Sequence, residues 1–143
     1  MGYTTEFEGS FSLNKVLDKE THDFLVKLSN TRRMARKVDK KYGVEGEFYV
    51  EDNDENVIDS GIPPKTQPGL WCQWTPTEDG KGLEWDDGEK FYEYEAWLVY
   101  IINKILEPKG YVVNGKVKWQ GEEMKDRGNL IVKNNKVTTK DLE

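Results

Sequence analysis

The sequence predicts an α+β domain: a mostly antiparallel sheet of six or seven strands with two helices packed on one face. Three observations predict it. Only two segments repeat apolar residues with helical spacing, while seven read as strands. The order β-α-β-β-β-α-β-β-β places strands consecutively, whereas a doubly wound parallel sheet needs a helix between them. The 143 residues include five Trp, seven Tyr and five Phe, enough large rings to drive a core despite a thin apolar content.

Residues 3–13 alternate. Tyr3, Thr5, Phe7, Phe11 and Leu13 share one face with Gly9, and Thr4, Glu6, Glu8, Ser10 and Ser12 share the other. Period two is a half-buried strand, and Gly9 suggests a bulge or a ring packed across it. Asp18 is an N-cap for a first helix expected to reach Arg36 or beyond. Thr21, Phe24, Leu25 and Leu28 form its inward face. A short strand is expected over 47–50. Residues 51–69 are polar, then rich in Pro and Gly, and read as a long ordered loop.

A strand is expected over 70–75, with Leu70, Cys72 and Trp74 on one face and Trp71, Gln73 and Thr75 on the other. Glu78-Asp79-Gly80 is turn chemistry, and 83–85 returns as the partner strand. Asp86 or Asp87 is expected to cap a second helix over 89–106. Phe91, Tyr94, Leu98, Ile101 and Ile105 step by three and four, and Pro108 and Gly110 stop it. Asn114-Gly115 reads as a hairpin turn between strands at 111–113 and 116–120. Asn134-Asn135 reads as a tight turn between strands at 130–132 and 136–139. Phe24, Leu28, Leu98, Ile101 and Ile105 are the expected core between helices and sheet.

Several segments together carry a resemblance: residues 2–7 (GYTTEF), 31–34 (TRRM), 67–74 (QPGLWCQW), 84–92 (EWDDGEKFY) and 117–122 (VKWQGE). The chain resembles small uncharacterised proteins encoded by bacteriophages, prophages and their bacterial hosts. The resemblance implies a phage-associated, intracellular, single-domain protein and brings no activity, cofactor or catalytic residue. No linker or repeat divides residues 1–143, so one domain is expected.

Composition narrows the function classes. No apolar run approaches a membrane span and no signal-peptide apolar region opens the chain, so the cytoplasm is the expected compartment. One Cys and one His do not make a structural zinc site. No cofactor or metal is expected. His22 reads as an exposed polar residue and Cys72 as a buried small apolar one, with no histidine nearby in sequence to activate it. Asp52-Asn53-Asp54-Glu55-Asn56 opens like a calcium loop, but Val57 and Pro63 stand where that loop needs Gly and Glu. The catalytic inventory is therefore poor, leaving only Asp/Glu/Arg chemistry as a route to an enzyme.

Two surfaces are candidate binding sites. Arg32, Arg33, Arg36, Lys37, Lys40 and Lys41 fall on one stripe if the first helix continues through them. Against Asp39 they leave five net positive charges in a chain of net charge −6. The stripe is either a docking surface for an acidic partner or a solvated helix end whose cations suit the macrodipole. Residues 45–59 hold seven acids and no base, and pairing with the stripe is the other use for both segments. The second surface is the sheet face away from the helices, with Trp71, Gln73 and Trp85. The leading expectation is a non-enzymatic accessory protein that binds a protein partner. The alternatives are a small-ligand or nucleotide binder using those aromatics with an Arg, and an Asp/Glu/Arg enzyme. Overall acidity argues against nucleic acid, whose binding draws on phosphate neutralisation. The sequence leaves oligomeric state open.

Overall fold

The computed structural model describes residues 3–30, 35–36, 57–59, 71–88 and 91–141. The fold is α+β, with two α-helices and a seven-stranded antiparallel sheet among the described residues. The elements are β1 (Glu6–Glu8), β2 (Ser10–Leu13), α1 (Lys19–Asn30), β3 (Ala35–Arg36), β4 (Val57–Asp59), β5 (Trp74–Pro76), β6 (Gly82–Trp85), α2 (Tyr94–Ile101), β7 (Val113–Gln120), β8 (Arg127–Lys133) and β9 (Lys136–Asp141). The main sheet runs β5-β6-β2-β7-β8-β9, with β1 also on β7. β3 and β4 form a separate two-stranded ladder.

Alternation decides which sheet face is buried. Val113, Val117 and Trp119 of β7 are buried, as are Leu130 and Val132 of β8, while Lys116, Lys118 and Lys133 are exposed. Both helices bury their apolar stripes in the cluster that covers this face: Leu25 and Leu28 from α1, Trp97, Leu98 and Ile101 from α2, and Ile105 just beyond it. Phe24 lies at the margin, half-buried. The centre is aromatic. Phe7 meets Trp74, Trp85, Phe91 and Tyr94 edge-on, at centroid distances of 5.2, 5.4, 5.6 and 5.1 Å. This arrangement suits the ring quadrupoles and adds to the area they bury.

Local chemistry explains most boundaries and corrects several. Asp18 caps α1 as expected: its carboxylate accepts from Thr21 N at 2.8 Å and Thr21 Oγ1 at 3.0 Å. α1 ends at Asn30, and Ala35–Arg36 is a strand paired with Val57–Asp59, so the helix does not run through Arg36. The strand expected over 70–75 is shorter and later, at Trp74–Pro76. The second helix starts at Tyr94, not near Glu89. Asp86 turns back on itself, accepting from Gly88 N at 2.8 Å, and so caps no helix. After Ile101 the chain widens into a π-helical turn over Ile102–Leu106, tightens to a 3₁₀ turn at Glu107–Lys109 and stops at Gly110 (φ 83°).

Asn114-Gly115 is not a hairpin turn. It lies inside β7, where Gly115 faces Phe11 of β2 on one side and Val132 of β8 on the other. The turn signal was a close-approach signal, since a Cβ there would stand 3.1 Å from Phe11 Cα. Gly9 likewise makes no bulge. β1 and β2 keep one register on β7 across it, and its bare Cα faces the Lys116 carbonyl rather than a ring. Asn134 and Asn135, at φ 49° and 71°, form the tight β8–β9 turn expected of them.

Candidate functional site

The residues singled out from the sequence do not form one site. Arg32, Arg33, Lys37 and Lys40 lie outside the described residues, as do the strand expected over 47–50 and all of 51–69 except Val57–Asp59, which is strand β4 rather than loop. The backbone of Arg36 is in β3, where it pairs with Val57. A helical stripe through 32, 36 and 40 therefore does not hold at position 36, and the backbones of the basic and acidic segments meet within the molecule.

Trp71 is 41% exposed and precedes β5. Gln73 is not on an outer face: it is 7% exposed, and its side-chain oxygen accepts the Trp85 indole N–H at 3.1 Å. Its main-chain carbonyl accepts Asp86 N at 2.9 Å. Gln73 and Trp85 are thus joined to each other as structure, and the ring of Trp85 packs on Phe7. Cys72 is fully buried. His22 is half-buried beside the Gly80 turn, not exposed.

A different place has the form of a site. β9 ends the sheet order and, among the described residues, pairs only with β8. α2 passes over its inner side. Between them lies a groove of about 680 Å³, lined by Glu93, Glu95, Ala96 and Val99 from the helix side and Thr139 and Asp141 from the strand. A second hollow of about 390 Å³ shares Val99 and continues past Val137 to Asn103 and Glu107. Ala96 and Val99 lie one turn apart on α2, and Asn103 in the π-helical turn and Glu107 in the 3₁₀ turn extend the wall. Val99 is 36% exposed, an apolar side chain at the middle of that wall.

The end of the groove near Asp141 is acidic. Glu93 stands at φ 58° as the residue before α2, with no side-chain cap bond. Asp126 is held by donors on both oxygens, Tyr3 Oη at 2.7 Å and Trp119 Nε1 at 3.0 Å. The hydroxyl of Tyr94 is pushed up to about 12, first by burial and then by the negative charges of Asp126, Glu95 and Asp141. Among the described residues no three His, Cys, Asp or Glu side chains converge closely enough to hold a metal ion. The carboxylates therefore frame an opening.

No family model, curated protein or solved structure matches this chain. No helix among the described residues is long and apolar enough to cross a membrane.

The groove went unread in the sequence, although two signals point to it. The last strand of a meander has a neighbour on one side only. Val99 is apolar yet falls between the inward positions Leu98 and Ile101, on the side of α2 away from their stripe.

Proposed function

We propose that this chain is a non-enzymatic accessory protein, of the phage- and prophage-associated kind it resembles, that binds a protein partner in the groove between α2 and β9. The observation that carries this reading is a helix wall facing a strand edge that has no partner among the described residues, along two adjoining hollows that share Val99. An open strand edge offers a row of backbone donors and acceptors, and the adjacent wall offers side-chain pockets. The second reading, a nucleotide or small-ligand binder at Trp71, Gln73 and Trp85, gains less support, because the Trp85 N–H already serves Gln73.

The test is a pull-down with the intact protein and its Val99→Arg variant from cells carrying the phage-type genes. Val99 is solvent-facing, so the variant should keep its melting temperature within a degree or two. Capture of the same protein by wild type and not by V99R supports the reading. Equal capture by both sinks it. A thermal-shift screen with nucleotides covers the second reading: a ligand at 100 times its Kd stabilises by about 2.7 kcal/mol.

A further inference from the structure

The groove reading leaves open how a partner lies in it and what side chains it brings. β9 is six residues long, about 20 Å of strand. Its side chains divide by face. Val137, Thr139 and Asp141 turn toward the groove, and Lys136, Thr138 and Lys140 turn to the opposite face, following the pairing of Val137 with buried Val132. A strand laid along the outer edge of β9 would send alternate side chains into the groove beside α2. At its Asp141 end they would meet Glu93 and Glu95, and at its middle Val99.

Resting on the groove reading, we propose that the partner contributes an extended segment that adds as a further strand to β9 and places a Lys or Arg side chain among Glu93, Glu95 and Asp141. An apolar side chain two residues away on the same face then lies against Val99 beside Thr139, and Val137 follows two residues further on. The spacing follows from the period of a strand. A cationic tip with a methylene stem matches an acidic mouth walled by the rings of Tyr94 and Trp119. The negative charges of Asp126, Glu95 and Asp141, which add to burial in raising the Tyr94 hydroxyl, also attract a cation at this mouth. A divalent ion fits less well because the carboxylates do not converge.

A second copy of this chain is disfavoured in the register centred on Thr138. Two β9 strands paired antiparallel about Thr138 set Lys136 opposite Lys140 twice, and like charges directly opposed are destabilising. The lysines on the outer face instead suit a segment that alternates basic or apolar residues toward the groove with acidic residues away from it.

The experiment selects a ribosome-displayed library of random twelve-residue peptides against the intact protein. The recovered peptides are then measured on wild type and on Val99→Arg, Glu95→Lys and Asp141→Lys. The expected peptides carry Lys or Arg two positions from an apolar residue and lose binding in V99R. They weaken about tenfold in each charge-reversed variant, and they slow hydrogen exchange at the backbone amides of 136–141. Peptides lost in V99R but without enriched Lys or Arg, and indifferent to E95K and D141K, overturn the cation while leaving the groove. Unchanged exchange along β9 overturns strand addition. Recovery of no V99R-sensitive peptide overturns this inference and the groove reading together. All variants alter exposed or half-exposed positions, and a thermal melt of each confirms that it is folded.

Discussion

Asp18 joins two parts of the molecule through one carboxylate. Besides capping Thr21, it accepts the Tyr111 hydroxyl at 2.9 Å, and Tyr111 in turn accepts Asp18 N at 2.9 Å. The start of α1 is thereby tied to the segment that enters β7. The Thr21 amide first, then the Tyr111 and Thr21 hydroxyls and Lys109, holds the Asp18 carboxyl below its ordinary value of 3.8. A carboxyl lowered in the folded state makes its contribution fully above its unfolded value. That contribution fades as pH falls through the lower folded value. Asp18→Ala should cost about 1 kcal/mol at neutral pH, the usual loss of an N-cap. Asp18→Asn keeps a capping oxygen and removes the charge, so it should lose at pH 7 the stability the lowered carboxyl contributes and show a correspondingly shallower decline below pH 3.8 than wild type. Urea midpoints across that range check both, and an unchanged acid slope in D18N would show that the charge does not matter. This residue was legible in the sequence because capping is local: a short acceptor side chain before a helical stripe has one common use. Gln73 was not legible, because its partner, the indole of Trp85, is twelve residues away and is brought near only by β5–β6 pairing.

At the scale of elements, periodicity located both helices and the strands of the main sheet, but it missed β3, read as helix, and β4, read as part of the 51–69 loop. Asn-Gly is a strong hairpin signal because both residues tolerate positive φ. Here the same freedom serves the centre of a sheet. Gly115 stands at φ 138° with Ser10 O and Phe11 Cα 3.2 and 3.1 Å from where a Cβ would be. No local pattern separates these uses, since the deciding neighbour is a hundred residues upstream. Gly115→Ala therefore tests the assignment. In a two-residue turn the change would cost backbone strain alone, whereas inside β7 overpacking against β2 adds to it, for a total of about 1–3 kcal/mol. A drop below about 0.5 kcal/mol in a denaturant titration would contradict the close approach. The late start of α2 has a similar origin. Phe91 has the right spacing for the helix, but its ring is drawn into the cluster of Phe7, Trp74 and Tyr94 before the helix begins.

For the whole molecule, the sequence made the α+β class legible because burial alternates along strands and steps along helices, and both patterns survive without knowledge of the partners. It did not make the groove legible, because a groove is a relation between α2 and β9, elements paired only through the order of the sheet. The same integration bears on stability. Trp97 on α2, Trp74 on β5 and Trp119 on β7 are buried in one cluster that also takes Leu25 and Leu28 from α1. A helix cannot leave that cluster without exposing rings from several strands, so the described parts have no separate way to unfold. Tryptophan fluorescence, which reports the cluster, and far-UV circular dichroism, which reports the backbone, should follow one coincident thermal transition. For a chain of 143 residues the unfolding enthalpy should be about 100 kcal/mol near 60 °C. The calorimetric and van't Hoff values should agree. Two resolved transitions, or fluorescence changing before the backbone signal, would mean that α1 or the β7–β9 meander detaches first. The core would then be two layers in contact, each with its own stability.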